Sequence, residues 1–560
     1  VGVEDDFFAL GGDSILSLQC VARANEAGLR LTPRQMFEHP TVAALARIAD
    51  APGGGSDAAP SAELDAAPAT DFGLSESDRR ALERLSGEGG EIEDAYPLSP
   101  LQEGMLFHVL YDKRAGEYFD QVSFVVEGRL DAAAFKRAWQ RVLDRHAALR
   151  VGFYFEGLAA PLQAVHKRVA LAWQELSWID LSAGEQQERL QSFLRADRER
   201  GFDLSRPPLL RLTLIKTAED AHRFVLSQHH LLLDGWSRSI LFNEVFALYR
   251  AFSEGRETRL PDNRPYRDYI AWLRRQDLSR AESFWKEKLR GLAPATPLRI
   301  DRDEGAQRAH GPVYAKRESR LSAAATGELQ STARAHGLTL NTLVQGAWAL
   351  LLSRYGGGRD VVFGATVSGR PAELRGVEGM IGLFINTLPV RVRVEDEARA
   401  GGWLRRLQAE QAEARAFEYS PLARVQAWAG VGRGGALFDT MIVFENYPVD
   451  DALSRGQGAD ALRVRDVSMA AESTYPLMLV IIPGAGLLLR IVYDLRRFDA
   501  ASVDTVLTQF ATVLRQLASR PDRMLSDVSL VDEEGGPLAA DRHAAAVVHD
   551  DAEQFDFGLP

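Results

Sequence analysis

Two adjacent histidines end an apolar segment in the stretch QHHLLLDGWS, residues 228–237. The preceding residues are typical of a β-strand, in which neighbouring side chains point to opposite faces. One histidine can therefore pack inward while the other faces a crevice. A histidine in a crevice has a pKa near neutral, so it can take a proton from an attacking amine or hydroxyl, or hold that nucleophile by a hydrogen bond. This chemistry suits acyl transfer.

The residues that follow add to this pattern. Asp234 lies on the loop after the strand, where its carboxylate can brace the loop or an arginine. Gly235 permits a backbone geometry that other residues resist. A lone histidine at the end of an apolar strand is more often a hydrogen-bonded core residue than a catalyst, so that feature alone favours a structural role.

The surrounding elements predict two α+β lobes, because helical and strand patterns alternate twice in a similar order. The first half contains strands at 121–128, 209–216 and 223–230 and helices at 131–149 and 235–252. The second half contains helices at 324–337, 340–356 and 501–518 and strands at 360–368, 385–394, 438–447 and 487–495. If 223–242 corresponds to 487–507, Asp499 takes the place of Asp234 and no histidine is repeated. A duplicated fold would then carry one histidine site.

Composition excludes several classes of protein. The 560 residues are 46% apolar and 26% charged, which suits a soluble chain of several domains. A net charge of -12 argues against a nucleic-acid binder. The single Cys20 excludes an internal disulfide framework and a cysteine-based zinc cluster, suits the cytoplasm, and leaves no metal site predicted. The apolar stretch 475–495 is broken by Pro483-Gly484 and Arg490, so it predicts two buried strands and no membrane span.

The stretch between residues 51 and 73 is rich in Ala, Pro, Gly, Ser and Asp. Such a composition cannot form a core and predicts a mobile linker. Order resumes at Ser75, which is expected to cap a short helix with Asp78 three residues later and Gly87 at its end.

The histidine stretch has companions that make a family resemblance specific. HHLLLDGW matches the HHxxxDG signature of the condensation domains of nonribosomal peptide synthetases, which are similar in fold to chloramphenicol acetyltransferase. The resemblance covers roughly residues 95–535. Further motifs resemble those of the family in the right order: YPLSPLQEGMLFH (96–108), RHAALRVGF (145–153), PYRDYIAWL (265–273), VSGRP (367–371), IGLFINTLPVR (381–391), EYSPL (418–422) and LFDTMIVFENYP (437–448).

The N-terminal residues carry a second resemblance. FFALGGDSILSLQC and the residues after it resemble a peptidyl carrier protein, whose GGxS serine carries 4'-phosphopantetheine; this implies Ser14 as the attachment site. The alternative is that Asp13-Ser14 only caps a helix. Both can hold, since the positive end of a helix suits a phosphodiester. Thirteen residues precede Ser14, whereas the family's four-helix carrier has a first helix there, so we expect an incomplete carrier that does not form a stable bundle.

The two resemblances imply a fold class and a division of the chain. The fold is α+β, with two chloramphenicol-acetyltransferase-like lobes forming a V-shaped pseudodimer after a small all-α carrier domain. The divisions are 1–50 (partial peptidyl carrier domain), 51–94 (linker with a short helix), 95–272 (N-terminal lobe), 273–535 (C-terminal lobe) and 536–560 (tail or linker).

The resemblance implies peptide-bond formation in a tunnel between the lobes. A carrier-bound peptidyl or aminoacyl thioester donor enters from one side, a carrier-bound aminoacyl acceptor enters from the other, and His230 lies midway. Further implied partners are the adenylation domains of neighbouring modules and a phosphopantetheinyl transferase. Two rivals stay open: an acyltransferase that uses a coenzyme A thioester or a free alcohol, and a noncatalytic recruitment domain.

The other motif residues receive supporting roles. Asp234 is expected to form a buried ion pair, with Arg370 as the first candidate partner and Arg150 as the second. His229 should pack or bond to backbone. Gly235 and Trp236 carry the turn into the next helix, where an amide N–H can face the oxyanion.

Four further positions also receive assignments. Asn386 lines the tunnel or, in the alternative, bonds its own strand end. His108 and His146 are expected in the core. Tyr475-Pro476 is assigned to the segment by which one lobe reaches across the other.

The motifs also bear on the donor. YPLSPLQEGMLFH with HHLLLDGWS resembles the branch that accepts a donor ending in a D-residue, and GGDS is the carrier form often found beside epimerization domains. No epimerization domain lies between residues 50 and 95, so the two signals conflict. A glycyl or otherwise non-L donor would reconcile them.

Overall fold

The computed structural model describes residues 74–86, 91–111, 118–292, 314–430, 436–445, 462–470 and 475–531, together with Phe72, Ile300 and scattered positions between residues 2 and 49. Ser14, most of the predicted linker and the predicted tail at 536–560 lie outside the described residues.

Helices occupy both halves of the described chain. In chain order they are α1 (Val42–Ile48), α2 (Glu76–Ser86), α3 (Pro100–Tyr111), α4 (Ala132–Arg145), α5 (Ala183–Arg200), α6 (Gly235–Ser253), α7 (Tyr266–Arg274), α8 (Leu278–Lys288), α9 (Ala323–Ala335), α10 (Leu340–Gly356), α11 (Ala400–Ala414), α12 (Leu422–Trp428) and α13 (Ala500–Ser519).

The strands of the described residues are arranged in three sheets. They are β1 (Ile92–Pro97), β2 (Phe119–Glu127), β3 (Val151–Tyr154), β4 (Leu162–His166), β5 (Trp173–Ser177), β6 (Leu210–Ala218), β7 (Ala221–His229), β8 (Tyr314–Arg320), β9 (Asp360–Val367), β10 (Asn386–Arg393), β11 (Thr440–Phe444), β12 (Arg463–Ala470), β13 (Leu477–Ile482) and β14 (Leu488–Asp494). The sheet orders are β1-β4-β3, β12-β2-β7-β6-β5 and β10-β9-β11-β13-β14-β8.

The five-stranded sheet is the scaffold of the first lobe. Apolar side chains of alternate β2 residues, such as Phe124, pack with those of α4 and α6 in a large aromatic core around Trp139. On the opposite face of the sheet, Val225 packs against Leu190 and Leu194 of α5. Helices therefore cover both faces of the sheet, which holds the ends of β2 and β7 in fixed positions.

The six-stranded sheet organises the second lobe. Helix α10 is buried along most of its length and packs against α13, with Trp348 meeting Phe510 edge to face. Fully buried aromatic side chains of the sheet, including Phe363 and Tyr493, complete this core. The alternation of helices and strands that the sequence predicts is present in both halves.

The two lobes exchange structure at one strand. β12 belongs to the second half of the chain, yet it pairs antiparallel with β2 of the first lobe, and Val467 enters the first lobe's core. Tyr475 is already back in the second lobe, where it stacks on Phe438. The assignment of Tyr475-Pro476 to the crossing segment was therefore slightly displaced, because the pairing strand comes just before it.

Several local predictions are confirmed. The stretch 475–495 forms the antiparallel hairpin β13-β14, and no helix among the described residues is long and apolar enough to cross a membrane. Ser75 accepts the N–H of Asp78 at the start of α2. Asp499 caps α13 by accepting the N–H of Ser502, as Asp234 caps α6.

The predicted lobe boundary remains a prediction. The division between residues 272 and 273 falls inside α7, which continues through both residues. In the carrier region, buried Val21, Leu31 and Met36 form a small apolar cluster with Ala372 of the second lobe. The described carrier residues thus contact the loop that contains Arg370.

Candidate active site

The two histidines at the end of β7 lie on opposite faces of the sheet. In the register of β2 and β7, Asp120 pairs with Gln228 and Phe119 with His229. Side chains alternate along a strand, so His229 lies on the face of the sheet that Ser227 occupies, whereas Asp120 and Gln228 lie on the other face. His230 follows on that second face, and its N–H donates to the carbonyl of Tyr118 at 2.7 Å. The predicted separation of the histidines is therefore present.

His229 is enclosed and neutral. Its ring lies beside Phe202 and Tyr118, and Nδ1 accepts the N–H of Leu231 at 3.2 Å. Burial lowers the pKa of His229 to about 3, with a smaller contribution from His230. The accepted hydrogen bond requires an unprotonated Nδ1, so this histidine fixes the loop and has no role as an acid near pH 7.

His230 differs from its neighbour in exposure and charge. Its side chain is 25% exposed, and Nδ1 lies 2.9 Å from Oδ2 of buried Asp120, a close ion pair whose N–H is not well aligned for a hydrogen bond. Burial lowers the pKa of His230, but the carboxylate of Asp120 raises it by more, and the net pKa is above the ordinary value. This histidine is the member of the motif that can reach a substrate.

Asp234 organises the loop that follows. Its Oδ1 accepts the N–H of Ser237 at 2.7 Å, which caps α6, and its Oδ2 accepts the N–H of Phe384 from the second lobe at 3.0 Å. Nη2 of Arg370 lies 3.5 Å from Oδ1. Arg370 was the first candidate partner and is the one found; Arg150, the second, instead pairs with Glu93 at 2.8 Å.

Arg370 links the segment around residues 370–384 to the histidine loop. Besides Asp234, it donates to Ser237 Oγ at 2.9 Å and to the carbonyl of Met380 at 3.0 Å. Its guanidinium lies 3.9 Å from the ring centre of Phe384, a cation–π contact. The ion pair, the hydrogen bonds and the ring contact together offset the free-energy cost of burying this cation.

Comparison with known proteins matches the two parts of the chain that the motifs separated. The family model described as "Condensation domain" matches residues 92–536, and the one described as "Phosphopantetheine attachment site" matches residues 1–49. The chain belongs to the condensation-domain family. It combines a condensation domain with a preceding carrier domain, as the resemblance implied.

Relatives of this condensation domain occur in very large synthases. One protein of the linear gramicidin synthase of Brevibacillus parabrevis is 44% identical over 464 residues, which is 83% of this chain and 6% of that protein. Another protein of the same synthase is 43% identical over 478 residues, covering 85% of this chain and 9% of that protein. The chain thus spans less than a tenth of the length of these relatives.

Solved structures confirm the fold class. The X-domain from teicoplanin biosynthesis superposes with a TM-score of 0.64 at 24% identity, over 78% of this chain and 97% of that one. The first condensation domain of the calcium-dependent antibiotic synthetase gives a TM-score of 0.63 at 19% identity, over 79% and 100%. The two-lobed α+β fold predicted from the sequence is therefore shown.

The turn after His230 has an ordinary backbone at its glycine. Gly235 was credited with access to a backbone geometry that other residues resist, but it does not use that freedom, since it is the first residue of α6 and has no positive φ. The carboxylate of Asp234, and not a left-handed glycine, starts the helix. Trp236 is buried and its Nε1 donates to the carbonyl of Glu378 at 3.0 Å, so it anchors the second lobe's loop. The amides of Gly235 and Trp236 belong to the first turn, which has no intrahelical acceptor for them.

Asn386 ties β10 to the segment before α12. Its Nδ2 donates to the carbonyls of Glu418 and Ser420, both at 2.8 Å, and its Oδ1 accepts the N–H of Thr387 at 2.9 Å. These bonds occupy the amide group and reach beyond its own strand. A tunnel-lining role for Asn386 stays a prediction.

The two histidines expected in the core behave differently. His146 is buried, with Nε2 2.6 Å from Glu244 of α6. His108 is exposed, so that prediction is wrong. It lies on α3, where Met105 and Leu106 face the core and the side chains of Phe107 and His108 point outward.

Sequence reasoning missed three residues of the site. Asp120 pairs with His230, and Arg238, one turn into α6, lies 3.3 Å from the same carboxylate. Gln102, within the SPLQ motif, donates to the carbonyl of Leu231 at 2.9 Å and so supports the histidine loop. The SPLQ motif was recognised in the sequence, but Gln102 was not assigned a function. No local signal marks Asp120, because only the register of β2 and β7 brings it to His230.

Proposed function

We propose that the chain forms peptide bonds in nonribosomal peptide synthesis, transferring an acyl group from a carrier-bound thioester donor to the α-amine of a carrier-bound aminoacyl acceptor. The observation that carries this proposal is the ring of His230, which is one-quarter exposed and paired with a buried carboxylate, while its neighbours His229 and Asp234 are enclosed.

The chemical step needs no oxidant or metal. The amine nitrogen attacks the thioester carbonyl carbon and forms a tetrahedral oxyanion. The new C–N bond remains, the C–S bond breaks, and the departing thiolate ends with the proton that the amine loses. His230 accepts that proton or holds the amine by a hydrogen bond. Because a thioester is already activated, alignment of the two tethered substrates supplies much of the acceleration.

The residues around His230 limit where the oxyanion can be stabilised. The N–H of Ser237 is already bonded to Asp234, so it is not free for substrate. The amides of Gly235 and Trp236 remain the candidates on this helix end, which carries partial positive charge.

Ser14 is proposed as the attachment site of the donor arm. The family match at residues 1–49 supports a phosphopantetheine site, and the GGDS motif points to Ser14 within it. Bound phosphopantetheine supplies a thiol that carries the acyl group as a thioester. The wider partners follow from this role: adenylation domains, a phosphopantetheinyl transferase and a second, acceptor-loaded carrier.

Intact mass measurement tests the proposal. The protein is treated with a phosphopantetheinyl transferase and a peptidyl pantetheine donor, and then mixed with an acceptor aminoacyl carrier. The donor mass should disappear from this chain and appear on the acceptor as an amide. Failure of the wild-type chain to transfer any of the donors supplied would contradict the proposal.

Three variants separate the roles. Ser14→Ala should take up no arm. His230→Ala should load normally but transfer slowly, by a factor of roughly 10²–10⁴ if the histidine acts as a general base. His336→Ala, in a histidine at the end of α9 in the other lobe, serves as the matched control and should transfer at the wild-type rate.

The donor's configuration is tested in the same assay. We propose a glycyl or otherwise non-L terminal residue, on the conflicting motif signals described above. Donors ending in D-, L- and glycyl residues are compared at equal loading. A strong preference for the L-donor would refute this assignment and leave the proposed reaction intact.

A further inference from the structure

Asp120 is a buried carboxylate that the motifs do not mention. It lies near the start of β2, directly opposite Gln228 in the strand register, and is 4% exposed. Tyr118, two residues earlier, has a positive φ of 58°, which a residue with a side chain rarely adopts. The same residue's carbonyl accepts the N–H of His230. The residue just before β2 is thus held in an uncommon conformation against the histidine.

Three nitrogen atoms lie close to one oxygen of this carboxylate. Oδ2 lies 2.9 Å from Nδ1 of His230, 3.3 Å from Nη1 of Arg238 and 3.4 Å from Nε2 of Gln228. Burial raises the pKa of Asp120, but His230, Arg238 and Gln228 together lower it by more. The net pKa is below the ordinary value, so the group is a carboxylate at neutral pH.

A carboxylate at Nδ1 determines which ring nitrogen carries the proton. The neutral imidazole of His230 keeps its proton on Nδ1, beside Asp120, which leaves the lone pair on Nε2. Nε2 is the nitrogen remaining to face a substrate amine. Without the carboxylate, neither tautomer is favoured by this contact and the ring is free to turn.

We propose that Asp120 is the positioning residue for His230, fixing its tautomer and ring orientation for the incoming amine while Arg238 moderates the carboxylate's charge. The inference rests on the proposed function. It assigns a residue outside the HHxxxDG motif to the reaction and explains how His230 can accept a proton from an amine.

The charged groups around His230 come from several elements. β2 contributes Asp120, α6 contributes Arg238, and the loop contributes Asp234, whose more distant charge also raises the pKa of His230. Neutral His229 lies on the other face of the sheet. From the second lobe, the charge of Glu445 interacts with those of Asp120 and Arg238.

A pH–rate profile for single-turnover transfer tests the proposal. Donor-loaded protein is mixed with saturating acceptor carrier, and the rate is followed from pH 5.5 to 8.5. Removing the negative charge in Asp120→Asn lowers the pKa of His230, so the ascending limb should move to lower pH, and the plateau should fall by roughly 10²-fold. Asp120→Glu should restore part of the rate.

Arg238→Gln should shift the pH–rate profile in the opposite direction. Removing the positive charge raises the pKa of His230, so the ascending limb should move to higher pH. A merely structural loss in either variant would lower the plateau without moving the limb. Opposite shifts in the two variants support the proposal, and an unmoved limb in both overturns it.

The matched control is Asp197→Asn. Asp197 is also a carboxylate of the first lobe with an arginine partner, Arg211 at 2.8 Å, and its side chain is 10% exposed, but it accepts a hydrogen bond from Ser227 on the opposite face of the sheet. Its removal should leave the pH limb in place. A shift equal to that of Asp120→Asn would show a general loss of stability and overturn the assignment.

A spectroscopic readout keeps this inference separate from the proposed function. In protein labelled with ¹³C-histidine, the His230 ring resonances, assigned by their loss in His230→Ala, report the Nδ1–H tautomer and the pKa directly. Both should change in Asp120→Asn. Unchanged resonances overturn the role of Asp120 even if transfer is observed, whereas a wild-type chain that transfers no acyl group refutes the proposed function whatever the resonances show.

Discussion

Asp234 and Arg370 form a buried ion pair across the two halves of the chain, with Oδ1 and Nη2 3.5 Å apart and residue exposures of 1% and 3%. The carboxylate also accepts two backbone N–H groups, one from each lobe. The pair therefore joins the loop after His230 to the second lobe's loop around Arg370. Its role is structural, because its hydrogen bonds go to these two loops and not to the ring of His230.

Breaking this pair should be costly. Arg370→Met leaves the carboxylate of Asp234 buried without its cation, so we expect the free energy of unfolding to fall by about 3–5 kcal/mol. Urea titration measures it. Arg359→Met is the matched control, because Arg359 is 74% exposed and its pair with Asp396 should contribute less than about 1 kcal/mol. Equal losses in the two variants would contradict the prediction.

Local patterns were enough to find His230 and the partner of Asp234. Alternation along a strand placed the two histidines on opposite faces, and the VSGRP motif supplied a buried arginine. The hairpin at 475–495 was predicted because Pro483-Gly484 interrupts two apolar runs. Each of these signals lies within about twenty residues of sequence, or in a motif that is recognised because the family's other motifs accompany it in the same order.

The missed features depend on contacts between distant parts of the chain. Asp120 reaches His230 only through the pairing of β2 with β7, whose members lie about a hundred residues apart. β12 joins the first lobe although its sequence neighbours belong to the second. The exposure of His108 depends on the orientation of α3. Strand register and helix rotation follow from packing of the whole lobe, which local patterns do not specify.

Two glycines of the second lobe's loop should differ sharply in how much substitution by alanine destabilises the fold. Gly369 has φ +60°, and a Cβ there would lie 1.8 Å from the carbonyl oxygen of Phe384. Gly369→Ala should lower the free energy of unfolding by roughly 2–4 kcal/mol through backbone strain and overlap. In Gly379, ten residues on, a Cβ meets no atom within 4 Å. Gly379→Ala should stay within about 0.5 kcal/mol of wild type, and thermal or urea unfolding that finds the two variants alike would refute this difference.

Acidification should lower the free energy of unfolding, because His229 is buried in its neutral form. Its folded pKa of about 3 lies below the unfolded value near 6.5, so the unfolded chain takes up the proton first and stability falls as the pH drops through 6.5. Between pH 7 and pH 5 this amounts to about 2 kcal/mol. His229→Asn retains an acceptor near Leu231 and cannot titrate, so its unfolding free energy should fall less than that of wild type over this range.

The neighbouring histidine acts in the opposite direction. The raised pKa of His230 contributes stability that is fully present below pH 6.5 and is lost as the pH rises through its folded value. Both chains in the comparison contain His230, so the difference between wild type and His229→Asn isolates the buried ring. Equal acid sensitivity in the two chains would mean that His229 is already protonated, or solvated, in the folded state.

Asn386 offers a test of whether its amide meets protein or water. In Asn386→Asp, carboxylate oxygens replace a donor that faces the carbonyls of Glu418 and Ser420 at 2.8 Å. We expect a loss of roughly 3 kcal/mol or more, since like partial charges then meet without a proton between them. Asn386→Ala only leaves the two carbonyls without this donor and should lose less.

The order of these two variants depends on the surroundings of the side chain. In a water-filled passage, the carboxylate of Asn386→Asp would be hydrated and the variant would be as stable as Asn386→Ala, or more so. In a closed contact with the segment before α12 it is the less stable of the two. Lowering the pH should then narrow the gap, because a protonated carboxyl can donate one hydrogen bond to a carbonyl. Unfolding free energies at pH 7 and pH 4.5 decide between these cases.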